Sequence, residues 1–221
     1  MAAQEPNMQW LERLRGRFVV FDGPDGSGKS TQFRQLLKLL ESRGIAVCQV
    51  REPGGTSVGE RIRDLLLDPE TGDMDVRCEM LLYMASRAQL VARRIAPAVA
   101  AGQLVLADRF ISSTLAYQGT AGGLDKADIV RVGEIALHDY WPDLVVIFDV
   151  DEQTAARRLS PLLDRIEQRG AAYHRRVRHG YLEQAEHDPD RHLVIDARSD
   201  EHTVFQRLLD GLEAKLRGKA G

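Results

Sequence analysis

The chain has 221 residues, 43% of them hydrophobic and 29% charged, which is enough to bury a substantial core within one compact domain. Its net charge of −3 excludes an overall attraction to a polyanion, so no nucleic-acid partner is expected. No stretch approaches the roughly 20 apolar residues of a membrane span, and the first residues lack the features of a signal peptide. The expectation is therefore a cytoplasmic protein with no membrane partner, whose two cysteines, Cys48 and Cys78, are buried free thiols.

In chain order, residues 1–16 read as an N-terminal extension in which Met8 to Arg15 is a candidate short helix without chemistry. Short, β-branched apolar runs follow at Phe18 to Phe21, Ala46 to Val50, Leu104 to Ala107, Leu144 to Phe148 and His192 to Ile195. Helical periodicity fills the intervals: Ser30 to Arg43, Ser57 to Leu67, Cys78 to Ala101, Lys126 to Asp139, then Glu152 to Leu159, Ala171 to Glu186 and Glu201 to Leu216. Strands that are apolar throughout and alternate with helices predict an α/β fold, a three-layer α/β/α sandwich around a five-stranded parallel sheet. Residues 17–221 form its single domain. Between two helices, Ser160 to Gly170 carries Pro161 and several charges and reads as an exposed loop able to move.

The segment Gly23-Pro24-Asp25-Gly26-Ser27-Gly28-Lys29-Ser30 follows the first strand and opens the first helix. Gly23, then four residues, then Gly28-Lys29-Ser30, make the P-loop pattern in the context that supports it. Glycines let the backbone N–H groups turn inward on phosphate oxygens, and the positive end of the helix adds to the attraction. Lys29 is placed to bridge the β- and γ-phosphates of a triphosphate, and Ser30 to offer its hydroxyl to the accompanying magnesium ion. A switch GTPase would carry an Asn-Lys-x-Asp element late in the chain, and none occurs.

Four further segments supply cations for a second anionic substrate: Arg51-Glu52-Pro53-Gly54-Gly55-Thr56, Tyr83 to Arg87, Asp108-Arg109 and Asp164-Arg165-Ile166-Glu167. Together with the P-loop, in this order and over nearly the whole chain, they resemble the thymidylate kinase family. The resemblance implies an ATP-dependent transfer of the γ-phosphoryl group to dTMP, giving dTDP and ADP, with Mg2+, a homodimer and a small mobile lid at about residues 158–170. It places Gly23 to Thr31 and Arg158 on ATP. It places Asp25, Glu52, Pro53, Arg63, Tyr83, Arg87, Arg109, Thr114, Tyr117 and Gln118 on dTMP, and Ser30, Asp108 and Glu167 near the metal. Tyr83 and Arg87 leave one helix face together, the tyrosine to stack on the base where the family usually has phenylalanine, the arginine to donate to its carbonyl. Tyr117 would pack where a ribose hydroxyl would clash. Leu115 stands where a polar residue is usual.

One departure bears on catalysis. Family members take a catalytic cation either from the P-loop, after its acidic residue, or from the lid; here that P-loop position is Gly26, and Ser160-Pro161 replaces Arg-Gly in the lid. Arg158, Arg165 and Arg169 remain, and Arg165 is expected to bridge the two phosphates beside Lys29, Asp25 and Arg109. The alternatives are another nucleoside monophosphate or deoxynucleoside kinase, or a regulatory nucleotide-binding module without catalysis.

Overall fold

The five apolar runs become strands β1 (Phe18–Asp22), β2 (Val47–Arg51), β3 (Leu104–Asp108), β4 (Leu144–Asp149) and β5 (His192–Asp196) of one parallel sheet, ordered β2-β3-β1-β4-β5. The computed structural model describes residues 8–158 and 164–217. Helices α1 (Lys29–Ser42), α2 (Ser57–Leu67), α3 (Val76–Leu90), α4 (Ala96–Ala100), α5 (Ile111–Thr114), α6 (Lys126–Leu137), α7 (Glu152–Arg158), α8 (Ala171–His187) and α9 (Glu201–Arg217) join the strands.

Alternation along the central strands sorts their side chains into two cores. Phe18, Val20, Val105, Ala107, Val145 and Ile147 face Met80 and Met84 of α3, Ile129 of α6 and Tyr181 of α8. Val19, Phe21, Leu106, Val146 and Phe148 face Phe33 and Leu36 of α1 and Leu208 and Leu212 of α9. Because both faces are covered, three layers result, as the apolar strands predict. The chain leaves β1 toward one side of the sheet and β3 toward the other, opening a crevice at the carboxyl ends of the central strands. Among the described residues no helix is long and apolar enough to cross a membrane.

The helix expected over Cys78 to Ala101 is interrupted by a wider turn at Val91–Ile95, in which Ala96 N–H reaches back to the Val91 carbonyl. Pro97 has no N–H to donate one turn back, and the widened turn absorbs that loss. Near the start of α3, Cys78 is exposed, and Cys48 is only partly buried, so neither is the buried thiol expected. Cys78 lies on the outer face because Glu79 and Met80 take the inward positions of that turn.

The N-terminal segment is built into the second core. A 3-10 turn, Gln9–Leu14, buries Trp10, Leu11 and Leu14 beside α9, and Arg13 Nη1 donates to the Leu216 carbonyl at 3.1 Å. Leu11 is 1% exposed. Leu11→Ala should therefore lower unfolding free energy by about 2–5 kcal/mol, read from urea denaturation, while turnover at 25 °C changes little. A loss under about 0.5 kcal/mol would make the segment an accessory tail.

Candidate active site

The loop after β1 requires its glycines. Gly23 has φ +132°, and a Cβ there would lie 2.5 Å from the Phe148 carbonyl oxygen. Gly26 has φ +75°, and a Cβ there would lie 2.5 Å from the backbone carbonyl of Ala155 in α7. The absence of an arginine at Gly26 thus has a steric reason: α7 occupies the space that any side chain would need. Ser27 N–H closes the turn on the Pro24 carbonyl at 3.3 Å. Asp25 and the run from Gly26 to Gln32, including Lys29, Ser30 and Thr31, line one cavity, closed on its far side by Arg158, Glu167, Ala197, Ser199 and Glu201. Arg158 is held there by donating to the carbonyls of Ala197 (2.9 Å) and Ser199 (3.3 Å). Burial, helped by Arg109, pushes the Lys29 pKa down, while Asp108, Asp25 and Asp22 draw it back up.

Arg109, directly after β3, is a non-glycine residue at φ +67°. That left-handed backbone is strained for an arginine, so its neighbours must hold it. Its guanidinium donates to Asp25 Oδ1, to Asp22 Oδ1 (3.3 Å), to the Gly23 carbonyl (3.1 Å), to Ser113 Oγ (3.1 Å) and to Tyr181 Oη (3.0 Å). Tyr117 Oη donates to Asp25 Oδ2 at 2.7 Å. Burial raises the Asp25 pKa, but Arg109, Lys29 and the Tyr117 hydrogen bond outweigh it and hold the carboxyl at about 2. Asp25 is therefore a carboxylate at working pH and cannot serve as a proton donor.

A second cavity opens on the other side of Asp25. Asp25, Glu52, Pro53, Arg63, Tyr83, Arg87, Arg109, Thr114, Tyr117 and Gln118 all line it, so the structure gathers every residue expected on the acceptor nucleotide. Leu67, Phe110, Ser113, Asp164, Ile166 and Glu167 complete the wall. Arg87, 1% exposed, donates to Glu52 Oε2 (Nε at 2.8 Å) and to Thr114 Oγ1 (3.1 Å), and lies 5.0 Å from the Phe110 ring centroid. Its Nη1 donates to Met84 Sδ, a weak acceptor that a ligand carbonyl could replace. Burial pushes Glu52 up to about 7 against the pull of Arg87. Burial, with Glu79 adding to it, also pushes the Tyr83 hydroxyl well above its ordinary range, so it remains a neutral donor. Arg63 Nη1 donates to the Pro53 carbonyl at 3.1 Å, beside the cis Glu52–Pro53 peptide.

The metal candidates divide. Ser30 and Asp108 face a common cavity beside Arg51, whereas Glu167 lines the two nucleotide cavities and shares only the P-loop one with Ser30. Arg165, expected to bridge the two phosphates, lines neither cavity: its Nη2 donates to Glu79 Oε2 at 2.5 Å and its Nε to the Leu66 carbonyl at 2.8 Å. The buried carboxylate of Glu79 attracts it more directly than open solvent would. Neither Arg165 nor Ile166, 4% exposed, belongs to an exposed loop. Ser160 and Pro161 lie outside the described residues.

Asp22, fully buried at the end of β1, was not among the sequence candidates. It accepts hydrogen bonds from Gly23 N–H (3.0 Å), Ser112 Oγ (2.6 Å), Ser113 Oγ (2.7 Å) and Tyr181 Oη (2.6 Å). Its position just before the P-loop is a local signal, but its other partners come from two distant segments, Arg109 to Ser113 and Tyr181. Glu79 was missed for the same reason.

Comparison with known proteins assigns the family. A family model described as thymidylate kinase matches residues 21–208. The thymidylate kinase of Pelotomaculum thermopropionicum is 45% identical over 206 residues, covering 92% of this chain and 95% of the relative. That of a Geobacillus species is 38% identical over 210 residues, covering 93% and 100%. The crystal structure of thymidylate kinase from Ehrlichia chaffeensis superposes with a TM-score of 0.74 at 32% identity, over 90% of this chain and 99% of that one. With the P-loop facing an arginine-lined acceptor cavity across Asp25, and with relatives of this similarity over almost its entire length, the chain belongs to the thymidylate kinase family.

Proposed function

We infer that this protein transfers the γ-phosphoryl group of ATP to dTMP, forming dTDP and ADP. The observation that carries the reading is the meeting of two cavities: Asp25 and Glu167 line both the P-loop cavity and the acceptor cavity. The shared wall sets donor and acceptor side by side, as direct transfer of a phosphoryl group requires. ATP would lie along Gly26 to Thr31, its base end toward Arg158 and the loop at Ser199, and its terminal phosphate near Lys29. The monophosphate would meet Arg109 and Arg63, with its base between Tyr83, Arg87, Thr114 and Gln118.

An acceptor phosphate is already ionised, so the transfer needs no general base. What it needs is cancellation of charge between two polyanions in line. Lys29 and Arg109 supply it from opposite sides of Asp25, which fixes the Arg109 fork through a charge-assisted hydrogen bond. Ser30 and Asp108, oxygen donors facing one cavity, suit Mg2+. Ser30 and Asp108 would hold such an ion, which would supply positive charge to offset that of the triphosphate. Tyr117, held on Asp25, would sit beneath the sugar and favour a deoxyribonucleotide.

Association into a homodimer and residence in the cytoplasm complete the reading. Val58 and Leu65 on α2, Leu81 on α3 and Ile135 on α6 are large, exposed apolar side chains on helices that pack against one another, and a second copy of the chain is the partner that would cover them.

A coupled ADP-release assay offering dTMP, dUMP, UMP, dCMP, dGMP and thymidine in parallel, with ATP and Mg2+, tests the reading. The highest kcat/KM is expected for dTMP. Preference for UMP or dCMP would overturn the acceptor, and ATP binding without ADP release for any acceptor would indicate a regulatory module.

A further inference from the structure

Glu79 lies on α3 with its side chain fully buried, and three partners from two other segments converge on it. Oε1 accepts from Gln118 Nε2 at 2.7 Å, and Oε2 accepts from Nη2 of Arg165 (2.5 Å) and Nη2 of Arg169 (2.7 Å). The two arginines flank Ile166 and Glu167, lid residues that line the acceptor cavity together with Asp164. Each is tied further. Arg165 N–H and Nε reach the Leu67 and Leu66 carbonyls at the end of α2. Arg169 lies over the Tyr173 ring and donates to its hydroxyl, which in turn donates to the Tyr117 carbonyl. The lid, α2, α3 and the turn at Leu115–Ala121 therefore meet at one carboxylate. Removing its charge would leave two largely buried guanidinium groups without their common partner.

The contact to Gln118 has a second effect. An ionised carboxylate only accepts hydrogen bonds, so it fixes which end of the Gln118 amide faces it: the NH2 group. The remaining end, carbonyl Oε1, is what Gln118 has to offer a ligand in the cavity it lines. An acceptor there suits the N3–H donor of thymine or uracil. It opposes cytosine, whose N3 is itself an acceptor.

We propose that Glu79 is a latch that holds the lid against the acceptor cavity through one carboxylate oxygen and sets the polarity of Gln118 through the other, so that one side chain serves both lid closure and base choice. Glu79 touches no reacting atom and is a positioning residue. In this arrangement Arg165 and Arg169 serve closure, and the phosphoryl group is left to Lys29 and Arg109. The proposal rests on dTMP being the acceptor, and wild-type turnover of dTMP is the control that separates failure of that reading from failure of the latch.

The test measures kcat and KM for dTMP, dUMP and dCMP in the wild type, Glu79→Gln and Arg165→Met, with circular dichroism to establish folding. In Glu79→Gln the dTMP KM should rise about tenfold with a smaller change in kcat. The dTMP-to-dCMP ratio of kcat/KM should also fall about tenfold, because the amide at position 118 is free to turn. In Arg165→Met the KM should rise while that ratio is retained. A uniform loss for all three acceptors in Glu79→Gln, with the ratio intact, would reduce Glu79 to a structural role and overturn the proposal, as would unchanged kinetics. A fall of about 100-fold or more in kcat for Arg165→Met at constant KM would make Arg165 the catalytic cation and also overturn it. If Glu79→Gln does not fold, the double variant Arg165→Met/Arg169→Met decides: a raised dTMP KM supports the latch, and an unchanged one overturns it.

Discussion

Arg109→Ala is expected to lower kcat with saturating dTMP and ATP by about 10³-fold or more, the magnitude associated with removing a cation that stabilises transferring phosphoryl charge. The size follows from what one guanidinium does. It faces the acceptor cavity, binds Asp25 at the junction of the two cavities, and bonds Asp22, the carboxylate that also fixes Gly23 N–H. Its removal takes away charge from the transition state and leaves Asp22 and Asp25 facing the incoming phosphates with less compensation. Arg109→Lys keeps a charge but loses the planar fork that spans Asp25 and Asp22 at once, so most of the loss should remain. Steady-state and single-turnover rates measure this, with thermal melting as the control for folding. A decrease below tenfold would move the catalytic charge elsewhere.

Lys29→Met should lower kcat by a comparable factor, about 10³-fold, and weaken ATP binding measured by calorimetry. Lys29 is 7% exposed at the start of α1, in the cavity lined by Gly26 to Gln32. Burial and the neighbouring Arg109 push its pKa down, and the charges of Asp108, Asp25 and Asp22 draw it partly back up. Methionine preserves the length and packing of the chain while deleting the charge, so the effect reads electrostatics rather than a cavity. Retained kcat with a raised ATP KM would show that Lys29 holds ATP without acting on the transferring group.

The two variants differ in what else they should disturb. Lys29 serves the donor side, so dTMP affinity should survive its loss. Arg109 lies in the acceptor wall and braces the P-loop, so both substrates should register its removal.

Much of this site was legible from residue order. The P-loop reads directly because its chemistry lies in eight consecutive residues flanked by a strand and a helix. Tyr83 and Arg87 read as a pair because helical spacing puts i and i+4 on one face. The acceptor residues required the resemblance, since Glu52, Arg63, Arg87, Arg109 and Gln118 come from separate segments, and only the β2-β3-β1-β4-β5 order brings them around one cavity. The orientation of Arg165 was not legible: a guanidinium has the reach to turn either way, and in this structure it lies on the buried carboxylate of Glu79.

By itself, then, the sequence determined the sheet, the helices, the phosphate-binding loop and the family, because each is written in local periodicity or in contiguous motifs. Only the tertiary structure decided how the charges are shared: that Asp22 anchors Arg109, that Gly26 is required by the close approach of Ala155, that Glu79 gathers the lid arginines, and that Gln9–Leu14 belongs to the core. These are contacts between segments far apart in the chain. They depend on which buried groups find a partner when the layers close, and no short-range pattern records that outcome.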